Sequence, residues 1–322
     1  MTSDGAISRC LITGASGFIG RALFDRLQAQ GLAVRGTSRR PAIVPGDWVQ
    51  VSDMGPDTDW SEALQGCDVV VHAAGRAHVL SEQGSDPLAE FRQVNVEGTL
   101  NLARQALKMG VRRFVFISSI GANGAETVPG QPFSEVCTPQ PQQPYARSKL
   151  EAEQGLQELL AGSAMEWVIV RPPLVYAGDA PGNFARLLGL VSRKIPLPLG
   201  RVNNARSMIA LRNLTSFLDL CIQHPAAAGE VFVVADGDDL STGQMVELLA
   251  QGMDHRAMLV PVPARTVRWG LSLLGQEGLG QQLFGSLQVD AGKARTLLGW
   301  RPEVSTRDAL RDSARQWLRN RS

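Results

Sequence analysis

A surplus of charge of either sign is missing from this sequence. Its 322 residues carry 32 lysines and arginines against 31 aspartates and glutamates, a formal net charge of +1. So neutral a chain has no electrostatic footprint for a nucleic-acid backbone, and no nucleic-acid partner is expected. Cysteine is also scarce. Cys10, Cys67, Cys137 and Cys221 are widely separated, without metal-ligand spacing and without histidines clustered beside them. No metal site is therefore expected, and buried free thiols in a reducing cytoplasm fit the pattern. No apolar run reaches membrane-spanning length, and the N-terminus lacks a basic region followed by an apolar core. Neither an integral membrane segment nor a secretory leader is expected. Repeats and low-complexity tracts are absent too. A length of 322 residues suits one large α/β domain with a smaller partner.

What is present is organised around residues 9–20. The apolar run 9–13 has the length of a buried parallel strand, and Gly14, Gly17 and Gly20 follow it, leading into a helix-forming stretch. Strand, glycine turn and helix in that order suit a pyrophosphate. The backbone can turn and approach the ligand where no Cβ intervenes, and the helix N-terminus offers free N–H groups to the anion. An ordinary strand-to-helix turn has the same order.

Beyond it, strand-like runs at 32–37, 48–52, 67–75, 113–118 and 166–171 alternate with helical patterns, notably 87–109 and 145–160. Such alternation predicts an α/β fold: a Rossmann-type doubly wound parallel sheet with right-handed crossovers and ligands at the carboxyl ends of its strands.

The end of the second strand bears on cofactor choice. An acid is usual there in NAD-selective sites, to accept from the ribose 2′-hydroxyl. Here the residues are Arg35-Gly-Thr-Ser-Arg-Arg40. Arg39 and Arg40 can neutralise a 2′-phosphate, with Thr37 or Ser38 as further donors, so NADP(H) is favoured over NAD(H). A surface loop with two solvated arginines reads the same way. After the third strand, Asp53, followed by Met54, suits either an adenine amino group or a plain turn.

The catalytic candidates are Ser119, Tyr145 and Lys149. Tyrosine and lysine four apart share a helix face, and an ammonium beside a phenol stabilises phenolate. A serine at the end of the neighbouring strand can hold a carbonyl or alkoxide oxygen as charge develops.

Thr13-Gly-Ala-Ser-Gly-Phe-Ile-Gly20, His72-Ala-Ala-Gly75, Asn95-Val-Glu-Gly-Thr99, Phe116-Ile-Ser-Ser119 and Tyr145-Ala-Arg-Ser-Lys149 together resemble the extended short-chain dehydrogenase/reductase family of nucleotide-sugar epimerases, dehydratases and reductases. Segments 171–176, 206–214 and 298–300 extend the resemblance over nearly the whole chain. Segments 195–200, 236–242 and 285–290 look like bacterial UDP-sugar 4-epimerases and 4-ketoreductases of surface-polysaccharide synthesis, such as O-antigen. The resemblance implies a dinucleotide-binding domain of residues 1–172 plus 207–235, and a sugar-nucleotide domain of 173–206 plus 236–322.

It also implies roles for single residues. Tyr145 exchanges the proton, Lys149 tunes it and holds the nicotinamide ribose, and Ser119 binds the reacting oxygen. Gly14, Ser16, Gly17, Phe18, Ile19, Gly20, Asp53, Met54, Ala73, Ala74, Gly75, Asn95 and Pro172 line the cofactor, with Asn95 supporting helix geometry or a water near the lysine. Asn183 and Arg206 take the sugar-nucleotide phosphates. Two departures stand out. A phosphate arginine of many epimerases is missing from 277–281, leaving Arg201 or Arg256 as substitutes, and Asn123 replaces a frequent aromatic.

The implied reaction is NADP(H)-dependent reduction of the 4-keto group of a UDP-4-keto-6-deoxy-N-acetylhexosamine. The alternative is an NAD-dependent UDP-hexose or UDP-N-acetylhexosamine 4-epimerase. A non-catalytic dinucleotide sensor is a third reading, one that would be expected to lose Tyr145 or Lys149. A cytoplasmic homodimer is expected. The stretch 261–274, with Trp269, Leu271, Leu273 and Leu274, suits a helix packed on the substrate domain, or a membrane or dimer contact.

Overall fold

The structure is a computed structural model describing residues 7–41, 45–51, 53–77, 86–128, 130–263, 266–267 and 283–321. Most of the 261–274 stretch, including Trp269, Leu271, Leu273 and Leu274, lies outside the described residues, as do Ser52 and the 277–281 segment.

The short apolar runs become strands because a parallel sheet covered on both faces buries every side chain. β1 (Cys10–Thr13), β4 (Val69–His72) and β5 (Arg113–Ile117) are buried at each position. With β2 (Val34–Ser38), β3 (Asp47–Gln50), β6 (Glu166–Arg171) and β9 (Glu230–Val233) they form a seven-stranded sheet of order β3-β2-β1-β4-β5-β6-β9, parallel throughout. Chain order reverses between β1 and β4, which opens a crevice at their carboxyl ends. This is the expected doubly wound α/β fold.

Helices cover both faces. α1 (Phe18–Ala29) and α7 (Leu211–Gln223) pack Leu23, Leu27, Phe217 and Leu218 against Ile12, Val71, Val115 and Val170. On the other face α4 (Gly98–Lys108) and α5 (Pro144–Leu160) pack Leu102, Ala106 and Leu156 against Leu11, Val70, Phe114 and Ile169. α2 (Ser61–Leu64) closes the edge of that layer. The strand residues alternate between the two faces, as period two requires.

A second lobe has its own core. α6 (Asn183–Ser192), α8 (Thr242–Gly252) and α10 (Thr306–Arg319) bury Phe184, Leu188, Leu249, Leu310 and Trp317. The parallel pair β7 (Leu174–Tyr176) and β8 (Met208–Ala210) leads into it, and α9 (Gly292–Leu298) returns to the sheet side through Ala294 and Leu298. Buried Asp236 ties the lobes together. It accepts from the Tyr176 hydroxyl at 2.7 Å, from Asn213 Nδ2 at 2.7 Å and from the Ala210 amide at 3.0 Å, while Asn213 Oδ1 takes the Glu303 amide at 2.9 Å.

Two expectations change. The helix expected over 87–109 is α3 (Pro87–Arg92), a π-helical turn (Gln93–Glu97) and α4. Where the π turn passes into α4, Thr99 Oγ1 donates to the Asn95 carbonyl at 2.7 Å. The second strand starts at Val34 rather than residue 32, because the Leu32 amide closes the end of α1 on the Leu27 carbonyl at 3.1 Å.

Candidate active site

The glycine turn is built by exclusion. Gly14 has φ +65°, and a Cβ there would lie 2.8 Å from Ala74 Cα; one on Gly20 would lie 2.3 Å from the Gly14 carbonyl oxygen. The helix therefore packs onto the turn, and the turn onto the loop after β4, only with hydrogen at these two positions. Gly17 is the N-cap of α1, without a side-chain cap and without an acid in the first turn. The first-turn N–H groups of Phe18, Ile19 and Gly20 thus face outward with no side-chain acceptor, a cradle that fits a dinucleotide pyrophosphate. A cleft of about 750 Å³ opens there, lined partly by Ser16, Gly17, Phe18, Asp179 and Pro181. It does not extend to Ser119, Tyr145 or Lys149.

Around the cradle the loops are tied down. Thr37 and Ser38 are buried at the end of β2, and the Ser38 hydroxyl donates to the Arg40 carbonyl. Arg39 and Arg40 themselves are exposed, and neither has an acidic partner among the described residues. Asp53 is exposed and accepts from the Met54 amide at 2.7 Å, and half-buried Met54 lies against the start of α4. Ala73, Ala74 and Gly75 leave β4 beneath the glycine turn, and a Cβ on Gly75 would sit 3.5 Å from Lys149 Nζ.

Asn95 does not touch the lysine. Its Oδ1 takes the Arg76 amide at 2.8 Å, and its Nδ2 donates to the Arg76 carbonyl and Ser148 Oγ, each at 3.0 Å. It fastens the loop after β4 to α5.

His72 is a second fastening, unforeseen as such. Thr99 gives its proton to the Asn95 carbonyl, so His72 Nε2 must donate to Thr99 Oγ1 at 3.0 Å, and Nδ1 accepts from Thr13 Oγ1 at 2.7 Å. Burial, helped by the Lys149 charge, pushes its pKa down to about 3, so the ring stays neutral.

Ser119, Tyr145 and Lys149 converge at the end of β5. Ser119 follows the strand and caps a short 3₁₀ turn, its Oγ accepting from the Gly121 amide at 3.1 Å. The Ile120 amide reaches the carbonyl of buried Pro172 at 3.0 Å, which joins this turn to the end of β6. Tyr145 is the second residue of α5, with its ring edge-on to Phe91 at 5.8 Å. Burial pushes its pKa up to about 12. Lys149, one turn on, donates to the Ile117 carbonyl at 2.8 Å, with Nζ 4.4 Å from the Phe116 ring centroid. Burial pushes the lysine down to about 8, and the charge of Glu153 opposes that fall. The chain's other tyrosine, Tyr176, is committed to Asp236.

The phosphate candidates lie in the second lobe. Asn183 is the exposed first residue of α6. Arg206 is largely buried and anchors one nitrogen, Nη1, on the Gly285 carbonyl at 3.0 Å. It has no ion pair among the described residues, and burial pushes its pKa below the usual arginine value.

Three residues that the motifs did not mark as functional also meet here. Glu153 and Arg171 form a buried ion pair behind Lys149, and Asn123 bonds to the arginine. The one trace in sequence is spacing, since Glu153 falls four residues beyond Lys149.

A family model described as NAD dependent epimerase/dehydratase family matches residues 10–235. A UDP-glucose 4-epimerase of Vibrio cholerae is 40% identical over 311 residues, 96% of this chain and 95% of that protein. A GDP-6-deoxy-D-mannose reductase of Pseudomonas aeruginosa is 29% identical over 322 residues, 96% and 97% of the two chains. Among solved structures, a short-chain dehydrogenase/reductase superfamily protein from Agrobacterium tumefaciens with bound NAD has a TM-score of 0.78 at 22% identity, over 97% of this chain and 98% of that one, a likeness of fold.

Proposed function

Since the chain belongs to the NAD dependent epimerase/dehydratase family, we propose that it is an NADP(H)-dependent reductase of the 4-keto group of a UDP-4-keto-6-deoxy-N-acetylhexosamine, acting in surface-polysaccharide precursor synthesis. The observation that carries the choice is the end of β2. Two exposed arginines without acidic partners stand where an acid would serve a 2′-hydroxyl, and they suit a 2′-phosphate. NADPH normally feeds a net reduction, whereas an epimerase regenerates its own cofactor within each turnover.

A nicotinamide cofactor held on the α1 cradle would supply the hydride. The side chains handle the oxygen and the proton. The Ser119 oxygen already accepts from Gly121, so its proton is free to donate to the sugar's O4. Tyr145, kept protonated at neutral pH by burial, gives its proton to that oxygen as the carbonyl is reduced. Lys149, still largely charged near pH 7, stabilises the phenolate left behind. Arg206, anchored by one nitrogen, has its remaining N–H groups for the diphosphate, and Asn183 is assigned to the same phosphates. Residues 1–172 and 207–235 would hold the dinucleotide, and 173–206 and 236–322 the sugar nucleotide. We place the enzyme in the cytoplasm as a homodimer.

A second reading, an NAD-dependent 4-epimerase, is favoured by the Vibrio cholerae relative. NADPH absorbance on mixing with the 4-keto substrate separates the two. Stoichiometric consumption supports the reductase. No consumption, together with conversion of UDP-GlcNAc to UDP-GalNAc in the presence of NAD, overturns it in favour of the epimerase.

A further inference from the structure

Tyr145, Lys149 and Glu153 follow one another at intervals of four on α5 and so lie on one helix face. Glu153 is 2% exposed and Arg171 5%. Burying two charges costs more solvation than their attraction readily returns, so such a pair is weakly explained by stability alone. Nor is this pair isolated. Glu153 Oε1 accepts from the Ser118 hydroxyl, next to Ser119, and from Arg171 Nε at 3.0 Å. Arg171 Nη1 donates to Asn123 Oδ1 at 3.0 Å. Asn123 in turn gives its Nδ2 to the Ser134 carbonyl at 2.9 Å and accepts the Gln140 amide on its own carbonyl at 3.0 Å. One continuous polar network therefore joins the helix of Tyr145 and Lys149, the strand end of Ser119, and the 124–143 loop between them.

We propose that Glu153 and Arg171 are positioning residues for proton transfer: Glu153 is the counter-charge of Lys149, and Arg171 holds Glu153 in place through their ion pair and, through Asn123, moors the 124–143 loop beside the reacting groups. The inference rests on the reading of Tyr145 and Lys149 as the proton-transfer pair. The titratable and charged groups facing Lys149 among the described residues are few. Tyr145 and Glu153 come from its own helix, neutral His72 from β4, and Arg171 from β6 by way of Glu153. The π turn contributes only the neutral Asn95 nearby. Glu153 is thus the one negative group in that set. Without it, Arg171 loses its ion-pair partner and burial of Lys149 is no longer opposed by a negative charge, so Lys149 gives up its proton at lower pH.

The test follows Lys149 directly. Lys108, Lys149, Lys194 and Lys293 are the chain's lysines, so ζ-labelled lysine gives an NMR spectrum in which Lys149→Met identifies the resonance. In Glu153→Gln the titration midpoint of Lys149 should fall by about one pH unit, and the basic limb of the turnover profile should fall with it. The double variant Glu153→Gln with Arg171→Gln leaves no orphaned charge behind. It should move the midpoint the same way by less, and it serves if the single variant fails to fold. Glu153→Asp should restore much of the wild-type midpoint. Asn123→Leu should raise KM for the 4-keto sugar several-fold with the basic limb unmoved. An unchanged Lys149 midpoint in the glutamine variants overturns the counter-charge role, and an unchanged KM in Asn123→Leu overturns the mooring. A lowered midpoint with an unmoved basic limb overturns the Tyr145–Lys149 reading itself, and the proposal with it.

Discussion

Replacing Arg39 and Arg40 together by alanine isolates the 2′-phosphate question with little structural side effect. Both side chains are exposed and break no ion pair among the described residues on removal. The loop is held by main-chain acceptors: Ser38 Oγ and Gln50 Nε2 reach the Arg40 and Arg39 carbonyls, which alanine retains. What is lost is two guanidinium contacts to a doubly charged phosphate. A charge-assisted hydrogen bond contributes about 1.5–3 kcal/mol, and solvent exposure reduces each to about 1–1.5 kcal/mol. The pair should then contribute about 2–3 kcal/mol, which at about 1.4 kcal/mol per tenfold is a loss of roughly 30- to 150-fold in NADP(H) affinity. NAD(H), without the phosphate, should be affected less than about threefold. Titrating each dinucleotide by quenching of intrinsic fluorescence, at fixed ionic strength, measures both constants on one sample. Equal losses for the two dinucleotides, or no loss for NADP(H), would refute the phosphate clamp and return the arginines to the status of solvated loop residues.

Tyr145→Phe should lower turnover about 10²- to 10⁴-fold while leaving dinucleotide affinity within a factor of about two, because it removes a proton donor and little buried volume. Equal turnover would sink the assigned role. Gly20→Ala places a Cβ 2.3 Å from the Gly14 carbonyl oxygen. It should cost about 1–3 kcal/mol of stability and most dinucleotide binding, as checked by thermal unfolding with and without NADPH. His72→Leu takes the acceptor from the buried Thr13 hydroxyl and the ring N–H from Thr99 Oγ1, which keeps its own bond to the Asn95 carbonyl, so unfolding should come about 1–3 kcal/mol more easily in urea. The histidine also predicts a pH dependence. Its folded pKa, near 3, lies below the ordinary 6.5, so its contribution is present above 6.5 and is lost as pH falls toward 3. The slope of stability in that window should be shallower in His72→Leu, and identical slopes would contradict a neutral buried ring.

Much of the site is local in sequence and was legible there for that reason. Gly14, Gly17 and Gly20 lie within one strand-turn-helix unit, and their meaning depends on neighbours a few residues away. Tyr145 and Lys149 share a helix face by spacing alone, and Ser119 ends an apolar strand. The alternation of apolar runs with helical periods was enough to imply a parallel doubly wound sheet, since few other arrangements bury such runs on both faces. The second lobe was less readable. Its β7 and β8 are three residues each, and α8 and α10 announce themselves only through caps such as Ser241 with Gln244 and Ser305 with Asp308.

By itself, then, the sequence determined the fold class, the glycine turn between β1 and α1 and the shared helix face of Tyr145 and Lys149, because each depends on periodicity or spacing within one or two adjacent elements. Tertiary structure alone decided what surrounds them. It set Glu153 against Arg171 eighteen positions away, tied Arg171 to Asn123 at a separation of 48, and pinned His72 between Thr13 and Thr99 at 59 and 27. It also turned the middle of one expected helix into a π turn around Asn95. The physical reason is common to all of these. A buried polar group must find its partner wherever packing brings one within hydrogen-bond reach, and no local pattern of residues records which distant strand or loop that will be.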